Sequence, residues 1–166
     1  ASDDLQVAGL SAGLSWEPLI EQAGRHGVPM VALADEDAAE RAKGAWDGRV
    51  MPGEEGIRAL IDASKPDLVL NAIVGFAGVE ATLWSLERGI TLALANKESL
   101  VAAGDLAVAA HRRGGGLLLP VDSEHSAVLQ ALAGARPETI ERILLTASGG
   151  PFRTWDLKQL AAATPE

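Results

Sequence analysis

The stretch ITLALANKESLVAAGDLAVAAHRRGGGLLLPV, residues 90–121, contains in one piece the pattern that decides the fold. An apolar segment, Ile90 to Leu94, has the length of a buried strand, and Ser99 to Arg112 is rich in Ala and Leu at helical spacing. Glycines end that helix before a second apolar segment, Gly116 to Val121. A strand, a helix and a second strand in this order predict a right-handed βαβ unit with parallel strands.

The same alternation extends over the rest of the chain. Further strand-length apolar segments are Leu5 to Leu10, Val28 to Leu33, Asp67 to Val74 and Ile140 to Thr146. Between the strands, apolar residues recur at helical spacing, as in Trp16 to Ala23, Gly56 to Ala63 and Val79 to Leu86. The pattern therefore predicts an α/β fold, a doubly wound parallel sheet with helices on both faces.

Composition excludes several classes of protein. The 166 residues are 48% hydrophobic and 22% charged, which is typical of a globular protein with a real core. The net charge of −9 argues against a nucleic-acid-binding surface, which needs clustered Lys and Arg. The chain has no cysteine, no apolar run of membrane-spanning length and no signal-peptide layout at its start. A cytoplasmic enzyme is the expectation.

Polar and glycine-rich clusters follow the predicted strands. In a parallel α/β sheet, ligands bind at the carboxyl ends of the strands, so these clusters are the candidate site. They are Ser11 to Gly13, Gly75 to Gly78, Asn96 to Glu98, Asp122 to Glu124 and, after the last predicted strand, Ser148 to Gly150.

Two carboxylates, Asp122 and Glu124, stand one residue apart directly after an apolar run. In extended backbone, side chains at i and i+2 point the same way, so the two carboxylates are expected to converge at a strand end. Converging carboxylates repel each other unless a cation or a proton lies between them. A divalent-metal site is therefore the first hypothesis for this pair.

Each cluster also has a structural interpretation. Gly75 and Gly78 are typical turn glycines, and Asn96 is a typical helix cap. Ser148 to Gly150 fits an ordinary loop, and an Asp-x-Glu pair fits a capped helix start or a solvated rim. No single cluster decides between these interpretations and a functional site.

Three long motifs in order carry a resemblance to a known family. LALANKESLV at 92–101, LLLPVDSEHSA at 117–127 and ILLTASGGPFR at 143–153 resemble 1-deoxy-D-xylulose 5-phosphate reductoisomerase. NAIVGFAG at 71–78 is similar to the strand and turn that precede these motifs in that family. The family uses NADPH and a divalent cation to rearrange and reduce its sugar phosphate to 2-C-methyl-D-erythritol 4-phosphate, in the methylerythritol phosphate route to isoprenoids.

The resemblance implies roles for the residues on the substrate side. Asp122 and Glu124 would bind the divalent cation, Mg, Mn or Co. Lys97 would lie on the substrate near the metal, so these three residues form the implied catalytic set. Ser123 would contact the substrate, as would Glu124, and Ser148 would help to hold the phosphate.

The resemblance also implies a cofactor side. Asn96 and Glu98 would lie beside the nicotinamide nucleotide, and Gly13, with Leu14 and Ser15 after it, would bind its adenosine end. The family usually has a basic or amide residue after that glycine, whereas Leu14 and Ser15 follow here. This segment therefore leaves the preference for NADPH over NADH open.

The resemblance also implies a domain organisation. We expect an incomplete Rossmann-like NADPH-binding domain over 1–121, lacking its first strand, and the start of an α+β catalytic domain over 122–166. On this expectation the chain is an internal piece of a homodimeric enzyme, and the 166 residues alone neither turn over substrate nor bind NADPH tightly. Two alternatives are a related NAD(P)-dependent dehydrogenase with another small phosphorylated or hydroxylated substrate, and a non-catalytic Rossmann-type module.

Overall fold

The computed structural model describes residues 5–144, 150 and 152–164, which fall in two compact units, Ala1–Asp122 and Ser123–Glu166. Strands and helices alternate through the first unit. They are β1 (Leu10–Ala12), α1 (Trp16–His26), β2 (Met30–Leu33), α2 (Glu36–Ala45), β3 (Arg49–Pro52), α3 (Gly56–Ser64), β4 (Leu68–Asn71), α4 (Gly78–Glu87), β5 (Thr91–Leu94), α5 (Glu98–Gly114) and β6 (Leu118–Pro120).

All the strands of the first unit pair in parallel, and they form two three-stranded sheets. One sheet has the order β1-β2-β3 and the other β4-β5-β6. In the first, Leu10 is opposite Val31, and in the second, Leu94 is opposite Pro120. We call residues 5–66 the first half and residues 67–122 the second half. In each half the strands are ordered as they follow along the chain.

The first half has an apolar core. Leu19 and Ala23 of α1 and Ala39 of α2 pack against Val31 and Leu33 of β2, and all five side chains are buried. Local signals set the helix ends: the Asp35 carboxylate accepts a hydrogen bond from the Ala38 N–H at 2.7 Å at the start of α2. This half is therefore held mainly by the burial of aliphatic side chains.

The second half mixes apolar and polar groups in its interior. Leu86, Leu92 and Leu94 form a cluster with two alanines of α5. Among the residues that the structure describes, all the buried polar side chains lie in this half, and they are Asn71, Thr82, Ser85, Asn96 and Ser99. Because a buried polar group is costly unless it is hydrogen-bonded, these side chains and their partners require an explanation.

A polar contact between α3 and α4 joins the two halves. The Trp84 ring lies 4.7 Å from the Arg58 guanidinium carbon and 3.4 Å from that of Arg88. The Asp62 carboxylate accepts hydrogen bonds from the Trp84 indole N–H at 3.0 Å and from Arg88 Nε at 2.7 Å. Arg58 also pairs with Glu80 at 2.6 Å.

The second unit is helical where it is described. It contains α6 (Ser123–Leu132), a 3₁₀ turn (Pro137–Thr139) and α7 (Leu157–Ala161), which begins with a capping box between Asp156 and Gln159. None of its described residues is buried. Across the described ranges of both units, no helix has the length and apolarity needed to cross a membrane.

The predicted fold class is confirmed, and several boundaries are corrected. The first strand lies at 10–12 rather than 5–10, since pairing with β2 sets its position. β3 was not predicted because Arg49 and Pro52 flank only two apolar residues. The strand predicted at 140–146 is wrong for residues 140–144, which form no strand, and residues 145 and 146 lie outside the described residues. The described strands also form two sheets rather than one.

Candidate functional site

The turn after β1 is open. Gly13, Leu14 and Ser15 are exposed, and apart from its chain neighbours no described atom lies within 4 Å of the position that a Cβ on Gly13 would occupy. The Gly13 carbonyl accepts a hydrogen bond from the Asp35 N–H at 3.2 Å, which ties this turn to the end of β2. The turn is therefore tied to the segment after β2 by this hydrogen bond and is exposed beside it.

The turn after β5 is built around the buried side chain of Asn96. Its amide group donates to the carbonyls of Ile73 and Gly75, the latter at 2.9 Å, and to the Glu98 carboxylate at 3.2 Å. Its carbonyl oxygen accepts from the Ser99 N–H at 2.9 Å and from the Ser99 hydroxyl. The N-cap residue of α5 is Lys97 rather than the predicted Asn96, but the Asn96 side chain still accepts from an N–H of the first turn and also holds the loop after β4.

Lys97 and Glu98 are exposed beside this buried asparagine. Lys97 Nζ lies 3.7 Å from Asp122 Oδ2, with the Lys97 side chain 66% exposed and that of Asp122 only 12% exposed. The carboxyl ends of β5 and β6 therefore bring together two residues that the sequence assigned to one site. At 3.7 Å and with this exposure, the ion pair leaves the ammonium group accessible to a further anion.

The sequence interpretation missed two residues of this region, Asn71 and Thr82. The Asn71 amide group donates to the Gly78 carbonyl at 2.8 Å and to the Thr82 hydroxyl at 2.9 Å, and its carbonyl oxygen accepts from the Ile73 N–H at 3.1 Å. An asparagine at the end of an otherwise apolar strand was the only sequence signal for this network. Thr82 gave none, because it lies on a helix 11 residues further along the chain.

The DSE motif does not continue a strand. α6 begins at Ser123, so Glu124 lies in the first turn of a helix. The extended backbone that the sequence predicted from Asp122 to Glu124 is therefore wrong. The helix start that the sequence offered as an alternative is what the structure has. Within the second unit, the Ser123 hydroxyl donates to the Glu124 carboxylate at 2.7 Å.

The predicted metal site remains a prediction. Asp122 is the last residue of the first unit, and Glu124 belongs to the second. Within the described ranges, no group of three His, Asp or Glu side chains is placed to hold a metal ion. Ser148, predicted to hold the substrate phosphate, lies outside the described residues.

Comparison with protein-family models identifies both parts of the chain. Residues 1–104 match the model described as 1-deoxy-D-xylulose 5-phosphate reductoisomerase, and residues 118–166 match the model of that enzyme's C-terminal domain. The chain belongs to the 1-deoxy-D-xylulose 5-phosphate reductoisomerase family. The resemblance inferred from the three motifs is thereby confirmed.

Curated relatives of this family are similar over nearly the whole chain. The reductoisomerase of Rhizobium rhizogenes is 46% identical over 165 residues, which are 98% of this chain and 42% of the relative. That of Mycobacterium avium is 46% identical over 166 residues, 99% of this chain and 39% of the relative. The chain thus spans about two fifths of the length of the curated relatives that it matches.

Solved structures of the family share the fold. The reductoisomerase of Zymomonas mobilis in complex with NADPH superimposes with a TM-score of 0.83 at 38% identity, over 98% of this chain and 44% of that one. A reductoisomerase in complex with NADPH, fosmidomycin and magnesium gives a TM-score of 0.76 at 30% identity, over 98% of this chain and 43% of that one. The α/β architecture described above is therefore that of the family.

Proposed function

We propose that the gene product containing this chain converts 1-deoxy-D-xylulose 5-phosphate to 2-C-methyl-D-erythritol 4-phosphate with NADPH and a divalent cation. One observation carries the proposal: the ends of β5 and β6 place Lys97 within 3.7 Å of Asp122. This contact joins the NKE motif to the first residue of the DSE motif. Both motifs belong to the family that the chain matches over 1–104 and 118–166.

The residues present fit the two groups that the proposal requires. The mostly buried Asp122 offers hard carboxylate oxygens, which suit Mg or Mn, and Glu124 is the second proposed ligand. The exposed turn 13–15 has space for the adenosine end of a nucleotide. When bound, NADPH supplies hydride and the cation polarises the oxygens of the substrate.

The chain's own side chains orient the substrate in this proposal. Lys97 places a positive charge beside Asp122, where it can stabilise negative charge that develops on a substrate oxygen. Ser123 offers a hydroxyl to the substrate, and Ser148 would hold its phosphate. Asn96 and Glu98 lie at the turn that would face the nicotinamide nucleotide. The side-chain amide of Asn96 is fully engaged with protein groups, so we assign its contribution to the shape of that turn.

The proposal is tested by turnover. The whole gene product should oxidise NADPH only when both deoxyxylulose phosphate and Mn are present. Asp122→Asn should lower this activity roughly a hundredfold or more, because it weakens binding of the cation. Asp105→Asn, which changes an exposed carboxylate on α5, should have little effect.

Unchanged activity of Asp122→Asn would contradict the proposal and favour the non-catalytic module. Preferential turnover of another small phosphorylated or hydroxylated substrate in a panel would favour the related dehydrogenase. Turnover with NADH measured alongside NADPH would decide the cofactor preference that Leu14 and Ser15 leave open.

The inactivity expected of the isolated 166 residues stays a prediction, and the same turnover assay tests it. A homodimer is likewise proposed for the gene product, and sedimentation would test it.

A further inference from the structure

The loop between β4 and α4, residues 72–77, follows the carboxyl end of β4. Ligands of doubly wound sheets bind outside the carboxyl ends of the strands. A nicotinamide nucleotide bound there would meet the backbone of loop 72–77, so the conformation of this loop would affect how well the nucleotide binds.

Burial of its own side chains contributes little to holding this loop. Of its three large apolar residues, Val74 and Phe76 are 86% and 74% exposed, and Ile73 is partly buried. Gly75 adopts a φ of 73°, a conformation that favours glycine. A loop with exposed apolar side chains and a left-handed residue needs anchors elsewhere to keep one shape.

The anchors are the two buried asparagines at the ends of β4 and β5. Each is 2% exposed. Asn71 holds the start of the loop through the Ile73 N–H and the start of α4 through the Gly78 carbonyl. Asn96 holds the middle of the loop through the carbonyls of Ile73 and Gly75. The backbone carbonyl of Asn71 also accepts from the N–H groups of Ala95 and Asn96, so the two anchors support each other.

We propose that Asn71 is a positioning residue for the nicotinamide nucleotide, oriented by the Thr82 hydroxyl and acting through the backbone of loop 72–77. Thr82 is fully buried and accepts the second amide hydrogen of Asn71 at 2.9 Å. Without that acceptor, the amide loses one of the contacts that fix its orientation, and its bonds to Ile73 and Gly78 weaken with it. This inference rests on the proposed function, since it names a determinant of binding at the same site.

The test compares two buried positions on the same face of α4. Thr82→Val keeps the size of the side chain and removes the acceptor. Ser85→Ala removes a fully buried hydroxyl that makes no hydrogen bond in the structure. Both variants of the whole gene product are assayed for the KM for NADPH, kcat and hydrogen exchange at the Ile73 amide. For each variant, thermal unfolding is also measured, and a fluorescence titration gives the Kd for NADPH.

Thr82→Val should raise the KM and the Kd for NADPH about tenfold, leave kcat within about twofold at saturating NADPH, and speed exchange at the Ile73 amide. Thr82→Ser retains the hydroxyl and should restore binding to within about twofold of wild type. Thr82→Ala should weaken binding like Thr82→Val and serves as the second variant if valine impairs folding. Ser85→Ala should leave the KM for NADPH unchanged.

Three results would overturn the inference. One is an unchanged Kd for NADPH in both Thr82→Val and Thr82→Ala, and the second is an equal rise in Ser85→Ala. The third is a loss in Thr82→Ser as large as that in Thr82→Val. If the wild-type protein binds NADPH but does not turn over deoxyxylulose phosphate, only the proposed reaction is contradicted. The NADPH titration of the Thr82 variants then still tests the role of Asn71. Wild-type protein that binds no NADPH overturns both.

Discussion

The two halves of the first unit share a strand-helix plan but have different interiors. In the first half, the buried side chains are aliphatic, and packing is sufficient to hold them. In the second half, five polar side chains are buried in addition to a cluster of leucines and alanines, and they are Asn71, Thr82, Ser85, Asn96 and Ser99. A polar interior costs stability unless its groups are paired, and it fixes geometry when they are. We therefore propose that the polar interior of the second half fixes the geometry of the proposed site, while the first half contributes the exposed turn 13–15.

The largest expected contrast comes from changes that keep the number of side-chain heavy atoms. Asn96→Leu keeps the branching at Cγ but leaves the Gly75 carbonyl and the Ser99 N–H without their partner, so we expect a loss of about 2–4 kcal/mol of unfolding free energy. Leu19→Met in the first half should cost less than about 1.5 kcal/mol, because shape is nearly conserved. Urea denaturation measures the free energy of unfolding of both variants. Equal losses would mean that the interiors of the two halves tolerate such changes equally well.

Two glycine positions sharpen the comparison. A Cβ on Gly78 would lie 2.7 Å from Cγ of the buried Asn96, so Gly78→Ala should cost about 1–3 kcal/mol. A Cβ on Gly44 in α2 would meet no atom within 4 Å, and Gly44→Ala should stabilise the chain by about 0.5–1 kcal/mol. Opposite signs in thermal or chemical unfolding are the expected result. Stabilisation by Gly78→Ala would show that loop 72–77 can shift freely.

The smallest expected effect is at the contact between the halves. Trp84→Leu removes the ring that Arg58 and Arg88 contact and the hydrogen bond to Asp62, and we expect a loss of about 1 kcal/mol. Arg25→Gln breaks an exposed ion pair inside the first half and should change stability by less than about 0.5 kcal/mol. A Trp84→Leu effect no larger than that of Arg25→Gln would mean that this contact does not couple the halves.

Sequence patterns predicted the regular parts of this fold. Five of the six strands of the first unit lie in or beside a predicted apolar segment, since buried parallel strands are apolar runs. β3 escaped detection because Arg49–Pro52 contains only two apolar side chains between an arginine and a proline. The NKE and DSE motifs identified the family because their wording and order are specific.

Sequence patterns do not predict the tertiary contacts of the buried polar residues. The bond between Asn71 and Thr82 spans 11 residues, and that between Asn96 and Gly75 spans 21, so no local pattern reveals either. The extended backbone expected between Asp122 and Glu124 is wrong for a local reason. Helix α6 begins at Ser123, and an Asp-x-Glu sequence fits a helix start as well as it fits a metal-binding pair.

The claim that the polar interior of the second half serves nucleotide binding is tested most directly by the Kd for NADPH in two destabilised variants of the whole gene product. Asn96→Leu and Leu19→Ala should lose similar stability, the latter about 2–5 kcal/mol, and both are measured at a temperature where they stay folded. We expect Asn96→Leu to raise the Kd about tenfold or more and Leu19→Ala to leave it within about twofold. Equal Kd values in the two variants would contradict the claim.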